Sequence, residues 1–257
     1  MPGICGRSTQ GGVTTATEAA AWNGLADQID AALRERGTPE RAQQEKAYLK
    51  SALEHYGTRV PDIRAVAKAA AARHPDLNRD DLLKLVDALW AAPVHERRMA
   101  TVELLGAYHD RLNREDTVLL ERLLRTSHTW ALLDPLAESV VGPLVERHPE
   151  LGAVLDRWAQ DPDFWIRRAA LLALLRPLRR GAGDFDRFAT YADAMLEDKE
   201  FFIRKAIGWV LRETAKKQPD LVYGWLLPRA ARASGVTIRE AVKPLSERQR
   251  TAVLAAR

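Results

Sequence analysis

The chain has 257 residues, of which 46% are hydrophobic and 29% charged, and its formal net charge is +4. This balance is typical of a globular protein with a substantial core and argues against an extended disordered chain. The apolar runs are too short to span a membrane, and the chain does not open with a signal-like segment. A single cysteine argues against an intramolecular disulfide. We therefore expect a cytoplasmic protein.

Positive charge is concentrated in the last part of the chain. Residues 157–257 carry 20 Lys/Arg against 12 Asp/Glu, whereas the remaining residues carry 19 against 23. A basic half favours a polyanionic partner such as nucleic acid. Surface arginines that serve only solubility would give the same count, so charge by itself leaves both interpretations open.

Residues 1–17 are rich in Gly, Thr and Ser, and we predict that they form a disordered tail. From residue 18 onward, apolar residues recur every three or four positions, which predicts helices. No segment alternates with period two for long enough to predict a strand, so residues 18–257 are predicted to be one all-α domain. The predicted helices start near Trp22, run over Lys46–Tyr56, Pro61–His74, Leu82–Trp90, Arg97–Tyr108, Thr117–Leu124 and Pro135–Arg147, and a loop is predicted over Arg176–Gly183.

Two segments repeat one another at a spacing of 37 residues. Asp161-Pro-Asp-Phe-Trp-Ile-Arg-Arg-Ala and Asp198-Lys-Glu-Phe-Phe-Ile-Arg-Lys-Ala share an acid, a bulky aromatic, Ile, a basic pair and Ala. A repeat of this length is typical of stacked helical pairs in which each repeat buries its apolar face against the next. We therefore predict a curved α-solenoid of HEAT-like repeats with a concave binding groove.

Equivalent positions of such repeats should line one wall of the groove. Positions near Arg98, Asp134, Arg168 and Lys205 recur at intervals of about 35 residues. Trp130 lies one helical turn before Asp134, and Trp209 one turn after Lys205, with Arg212 and Lys216 continuing that face. Cations can follow phosphates, and indoles can stack on bases or attract cations. The carboxylate of Asp134 would repel phosphates, so its place on this wall requires an explanation other than anion binding.

The chain resembles the HEAT-like-repeat DNA alkylpurine glycosylases of the AlkD type from about residue 20 to about residue 250. The segments that carry the resemblance are Tyr48-Leu-Lys, Trp130-Ala-Leu-Leu-Asp134, Trp165-Ile-Arg-Arg168-Ala-Ala, Arg239-Glu-Ala-Val-Lys and, most specifically, the stretch from Lys199 to Glu213. The sequence departs from relatives at Thr129, where some place a second aromatic, and at Pro135, which affects the expected orientation of Asp134.

The resemblance implies base excision repair, in which N3- or N7-alkylated purines are released from duplex DNA without full base flipping, including bulky minor-groove adducts in some relatives. It implies that Asp134 is the catalytic carboxylate, that Trp130 and Trp209 flank the deoxyribose and backbone, and that Arg168 holds the phosphate side. The same comparison makes Tyr48, Arg212 and Lys216 DNA contacts, to which the register argument adds Lys205. A cationic purine is already a good leaving group, so a carboxylate facing the developing oxocarbenium ion suffices.

Each candidate also has a structural interpretation. Asp134 followed by Pro135 is a common helix start, tryptophans on helices are usually core, and Arg168 could pair with an acid of the neighbouring repeat. The six histidines lack metal-ligand spacing, and no lysine stands out as a Schiff-base nucleophile, so we expect no cofactor, no metal and no lyase activity. We expect the partner to be double-stranded DNA and the protein to be a monomer that does not bind a membrane. The alternative functions are a non-catalytic binder of damaged DNA and a helical-repeat scaffold for protein interactions.

Overall fold

A computed structural model describes residues 11–257, with side chains from Trp22 onward. Within these residues all regular structure is helical, and the only extended pairing is an isolated bridge between Glu54 and Val94. The prediction of an all-α fold is therefore confirmed. Residues 1–10 of the predicted tail lie outside the described part of the chain, whereas the backbone from Gly11 onward belongs to the first helix.

The chain divides into two compact units, of which the first ends at Arg111 and the second runs from Leu112 to Arg257. Over residues 11–111 the first unit contains five α-helices: α1 Gly11–Glu35, α2 Pro39–Leu49, α3 Val60–Arg73, α4 Arg79–Ala91 and α5 His95–Ala107.

The helix predicted over Lys46–Tyr56 is wrong, because α2 begins at Pro39 and ends at Leu49. The Thr38 side chain caps its start, and Lys50 adopts a left-handed conformation (φ 49°) that ends it. Beyond Lys50 the chain is held by distant groups. The buried Glu96 carboxylate accepts hydrogen bonds from the backbone N–H groups of Tyr56, Gly57 and Thr58 at 3.0, 2.7 and 3.2 Å.

The second unit contains eleven α-helices, joined by short turns, and it carries the predicted repeat. They are α6 Thr117–Ser127, α7 Trp130–Leu136, α8 Gly142–Arg147, α9 Gly152–Trp158, α10 Phe164–Ala173, α11 Leu175–Arg179, α12 Phe185–Ala194, α13 Phe201–Ala215, α14 Pro219–Leu226, α15 Gly235–Ala241 and α16 Glu247–Ala255. Part of the loop predicted over Arg176–Gly183 is thus helical.

The two repeated segments make the same local contacts. The Asp161 carboxylate accepts the N–H of Asp163, and the Asp198 carboxylate accepts the N–H of Glu200. The carbonyl of each of these aspartates in turn accepts a hydrogen bond from an arginine six residues later, Arg167 or Arg204. Helices α10 and α13 therefore begin with the same set of hydrogen bonds.

Side chains connect each repeat to the next at nearly the same sequence distance. Arg125 binds Asp161 across 36 residues, the Tyr191 hydroxyl donates to Asp156 across 35, and Arg229 binds Asp193 across 36. The helices also pack in sequence order, with α10 against α13 and α13 against α15. Within this unit each repeat thus buries its face against its neighbour, as repeat proteins require.

Leucines, alanines and three tryptophans form most of the core. Trp90, Trp158 and Trp225 are buried as expected, and the Trp158 indole N–H donates to Glu121 at 2.8 Å, whereas Trp22 and Trp165 are only half-buried. Of the helices in residues 11–257, none is both long and apolar enough to cross a bilayer.

Candidate functional site

Asp134 lies in the second turn of α7 and does not cap the helix. The N-cap is Thr129, whose hydroxyl accepts the Ala131 N–H at 3.4 Å, so the interpretation of Asp134 as a helix cap is wrong. Only 11% of the Asp134 side chain is exposed. A carboxylate buried this far needs compensating partners, because desolvation of a charge is unfavourable.

Pro135 lies inside α7, although the sequence placed it at a helix start. Proline has no N–H for the bond to the residue four positions earlier, and its ring crowds that carbonyl. The backbone continues through the proline and widens into a π-helical turn over Ala137–Val141 before α8. Such turns are common where a helix interior is perturbed, and they often occur at functional sites. Asp134 is thus held immediately before an irregular part of a continuous helical segment.

Arg168 of α10 supplies the partner for Asp134. Its Nε donates to Oδ1 and its Nη2 to Oδ2, each at 2.7 Å, which is the bidentate geometry that favours a guanidinium over an ammonium group. The remaining nitrogen, Nη1, donates to the Phe202 carbonyl at the start of α13. Arg168, which is 3% exposed, therefore connects three successive repeats.

This pairing corresponds to the second interpretation of Arg168, an ion pair with an acid of the neighbouring repeat. The acid is Asp134 itself, the residue expected to be catalytic. Direct phosphate contact by Arg168 stays a prediction; the three hydrogen bonds use three of the five N–H donors of its guanidinium group.

Burial raises the pKa of Asp134, and the hydrogen bonds from Arg168 act against that rise without cancelling it. The carboxylate keeps unused lone pairs after accepting two hydrogen bonds, since its two oxygens offer about four acceptor positions. The arrangement therefore presents a fixed, partly desolvated carboxylate that can still accept a hydrogen bond or face a positive charge.

The two candidate tryptophans are half-buried in the second unit. Trp130 is the first residue of α7, one turn before Asp134, and Trp209 lies in α13, one turn after Lys205. Tyr48 belongs to the first unit, where it lies near the end of α2 and is 74% exposed.

The predicted DNA-contacting cations gather around two buried glutamates. Glu240 of α15 accepts hydrogen bonds from Lys205 at 2.7 Å and from Arg212, and Lys243 lies 3.1 Å away. The hydrogen bond from Lys205 is the largest influence on Glu240, and together with the neighbouring charges it lowers the pKa of this carboxyl to about 2. Glu240 is thus ionised at neutral pH and anchors three cations.

Glu213 of α13 is surrounded by cations in a similar way. Lys216 donates to both of its oxygens at 2.9 and 2.8 Å, Arg212 lies 3.2 Å away and Arg179 3.4 Å away. Burial acts to raise the pKa of Glu213, but these cations outweigh burial and lower it. We name the seven residues together the cation cluster: Arg179, Lys205, Arg212, Lys216, Lys243, Glu213 and Glu240.

Exposure differs between the two signs of charge in the cation cluster. The side chains of Glu213 and Glu240 are 9% and 10% exposed, whereas those of Lys205 and Lys216 are 42% and 53% exposed. The acids therefore lie beneath the cations and hold them at the surface. Neither glutamate was predicted as a site residue from the sequence. The signals were the helical i,i+3 spacing of Glu213–Lys216 and Glu240–Lys243 and the repeat spacing of 35 residues between Lys205 and Glu240.

Comparison with known proteins identifies the family. The sequence profile of the family described as "DNA alkylation repair enzyme" matches residues 29–245. A predicted DNA alkylation repair enzyme from Enterococcus faecalis is structurally similar, with a TM-score of 0.74, 23% sequence identity and coverage of 82% of this chain and 98% of that chain. AlkD2 from Streptococcus mutans is also similar, with a TM-score of 0.57, 20% identity and coverage of 80% and 99%.

A search of curated proteins finds no match. The two solved structures share too little sequence to establish more than the fold, whereas the family profile spans most of the chain. The AlkD-type resemblance of the sequence is thereby confirmed, and the chain belongs to the DNA alkylation repair enzymes.

Proposed function

We propose that the protein is a monofunctional DNA glycosylase that hydrolyses the N-glycosidic bond of cationic N3- or N7-alkylated purines in duplex DNA. The observation that carries this proposal is the buried Asp134 carboxylate, which accepts two hydrogen bonds from Arg168 of α10. The half-buried Trp130 lies one helical turn before Asp134 in α7. In this proposal the protein acts as a cytoplasmic monomer, and bulky minor-groove adducts are tested beside small methyl lesions as substrates.

The chemistry needs a group that stabilises positive charge on the sugar. As the bond between C1′ and the purine nitrogen lengthens, its electron pair goes to the cationic base, which leaves as a neutral alkylpurine. The deoxyribose acquires oxocarbenium character, and the Asp134 carboxylate stabilises it. Water then bonds to C1′ and gives its proton to Asp134, from which the proton passes to solvent. No acid needs to protonate the departing base.

Other residues bind and orient the substrate in this proposal. The indoles of Trp130 and Trp209 offer electron-rich faces to the developing cation and exclude water. The Lys205, Arg212 and Lys216 side chains bind backbone phosphates, and Tyr48 makes a further DNA contact. Arg168 positions Asp134 and prevents its rotation, which favours a reaction geometry set before the substrate binds.

The decisive experiment compares base release from duplex DNA containing N7-methylguanine by the wild type and Asp134→Asn. We expect at least an approximately hundredfold loss of single-turnover excision with DNA affinity retained. Asp193→Asn is a matched control, because Asp193 accepts the same Nε and Nη2 fork from Arg229 at 2.8 and 2.6 Å. Full activity in Asp134→Asn would eliminate the mechanism.

A non-catalytic binder of damaged DNA is the second candidate, since a bidentate Asp134–Arg168 pair can also serve structure alone. No base release by the wild type, from N7-methylguanine or from a bulky N3-adenine adduct, together with tight DNA binding would establish that alternative.

A further inference from the structure

Three potential metal ligands meet in the first unit. Glu45 lies in α2, His55 in the irregular segment after it, and His95 is the first residue of α5. One ligand atom from each side chain lies within 4.8 Å of the other two. The imidazole rings stack with centroids 4.6 Å apart and planes inclined by 9°, and Glu45 Oε2 lies 3.7 Å from His55 Nδ1.

Four polar atoms of this cluster are buried without hydrogen-bond partners. Both ring nitrogens of His55, Nδ1 of His95 and Oε2 of Glu45 have none, and the His55 side chain is 1% exposed. A buried polar atom without a partner has lost its hydrogen bonds to water without compensation, so native proteins rarely leave several together. Packing alone does not explain why histidine stands at both positions, because an apolar ring would avoid this cost.

The backbone around the cluster is already fixed. The Glu54 N–H donates to the Pro93 carbonyl at 2.8 Å, and the His95 N–H donates to the Glu54 carbonyl at 2.9 Å. These bonds place His55 beside His95, and the Glu96 carboxylate holds the following turn through three backbone N–H groups. Two of the three ligands are thus carried by a preorganised backbone, which lowers the entropic cost of binding.

The third ligand comes from a helix that has few other attachments. No residue of α2 is buried, so little apolar contact holds this helix against its neighbours. Arg41 occupies the other oxygen of Glu45, Oε1, at 3.3 Å, which leaves Oε2 toward the histidines. A ligand bridging Glu45 to His55 and His95 would therefore join α2 to the start of α5.

We propose that Glu45, His55 and His95 bind one divalent transition-metal ion of the Zn²⁺ type, which attaches α2 to the rest of the first unit. Two imidazoles and one carboxylate with water as a fourth ligand form a common Zn²⁺ set, whereas Mg²⁺ and Ca²⁺ prefer oxygen ligands. Ligand atoms in a tetrahedral zinc site lie about 3.3 Å apart. Small side-chain rotations that move the ligand atoms about an ångström closer together would therefore accompany binding. The site is separate from glycosidic chemistry, which needs no metal.

Occupancy of this site would affect a predicted DNA contact. Tyr48 follows Glu45 by three positions, hence by about one turn of α2. Metal binding would restrict the motion of the helix that carries this exposed ring. The metal is then a structural element of the first unit, with a secondary effect on DNA affinity.

The test is Zn²⁺ binding by the full-length, chelator-treated chain, measured by calorimetry and metal analysis. We expect saturation at one Zn²⁺ per chain, four-coordinate absorption bands with Co²⁺, and slower hydrogen exchange over residues 39–49 when Zn²⁺ is bound. Glu45→Gln and His55→Gln should each weaken Zn²⁺ binding by more than about tenfold.

His148→Gln is the matched control, because His148 also lies near a glutamate, Glu150 at 3.6 Å, but outside the cluster. Circular dichroism of Glu45→Gln would verify folding, and this variant is the safer of the two because the Glu45 side chain is less deeply buried than that of His55, 15% against 1% exposed. The absence of saturable one-to-one binding would overturn the proposal. So would binding that is unchanged in Glu45→Gln or lost equally in His148→Gln.

Discussion

Burial of both partners distinguishes the Asp134–Arg168 pair from the other arginine forks of the second unit, because the Arg168 side chain is 4% exposed against 37% for Arg125 and 28% for Arg229. Arg229 holds Asp193 with the same two nitrogens, but the Asp193 side chain is 33% exposed against 11% for Asp134. An exposed fork contributes little beyond geometry, whereas a buried one retains a charge in a medium of low polarity. Retaining such a charge is costly for stability alone. A catalytic carboxylate gains from it, because charge–charge stabilisation strengthens as water is excluded.

The pH dependence of excision should report this burial. The carboxylate is the active form, and burial raises the pKa of Asp134. Excision should therefore be lost, as pH falls, at a pH above the ordinary aspartate pKa of about 3.9. Arg168→Lys removes the fork that opposes the rise, so its acid limb should move to still higher pH, with excision at neutral pH reduced about ten- to hundredfold.

Single-turnover excision measured across pH, on duplex DNA that keeps its lesion at neutral pH without enzyme, gives both the acid limb and the rate at neutral pH. Arg229→Lys provides the control, since it weakens a comparable fork without contacting Asp134. An acid limb that stays in place in Arg168→Lys would mean that Arg168 does not control the ionisation of the reacting group.

Sequence reasoning identified both residues and raised the pairing of Arg168 with an acid of the neighbouring repeat, but it did not identify that acid as Asp134. The repeat spacing put Asp134 and Arg168 at equivalent positions, where both would face one surface. In the structure the long Arg168 side chain reaches back by one repeat, which register by itself does not show. Glu45, His55 and His95 were not found because they are 10 and 40 positions apart and lie on elements of different types.

At the scale of elements, close helix packing places the cation cluster. A Cβ at Gly208 of α13 would lie 2.9 Å from the Glu240 Cβ and 3.0 Å from the Thr237 carbonyl oxygen of α15. The missing side chain thus permits α15 to approach α13. That approach brings Glu240 within hydrogen-bond distance of Lys205 and Arg212.

Gly208→Ala should separate these helices. We expect a loss of about 1–3 kcal/mol in the free energy of unfolding, because the contacting atoms include backbone that cannot move aside cheaply. Gly224→Ala in α14 is the control: a Cβ there meets nothing within 4 Å, and the higher helix propensity of alanine should stabilise by up to about 1 kcal/mol. Urea denaturation of both variants measures the difference, and equal stability would refute the role of close approach.

Helix existence was predictable from apolar spacing, but helix ends were less so. The α3 boundaries follow from Pro61 and Pro75, which act locally. The α2 boundary was missed because Tyr56 is fixed by groups far away in sequence, Glu96 at its N–H and Asp30 at its hydroxyl. The start of α7 was missed because Pro135 suggested an N-terminus, whereas the Thr129 cap and the later π-helical turn accommodate the proline inside the helix.

The positive charge that the sequence concentrates in its last part is grouped around two buried glutamates in the second unit. The excess of cations is not spread evenly, since five of them surround Glu213 and Glu240. Buried carboxylates that hold exposed cations keep those side chains ordered, which lowers the entropy lost when they bind phosphate. A family that repairs alkylated DNA would benefit from a preorganised phosphate-binding surface of this kind.

The salt dependence of DNA binding tests whether this surface contacts phosphates. Each phosphate contact adds about 0.9 to the slope of log affinity against log salt on duplex DNA. Lys216→Gln should therefore reduce the slope by about that amount and weaken binding to damaged and undamaged duplexes alike. Arg157→Gln is the matched control, because Arg157 is a 62%-exposed cation paired with Glu121 at 2.7 Å outside the cluster. If both variants keep the wild-type slope, Lys216 serves only to neutralise Glu213, and the phosphate-binding surface must be sought elsewhere.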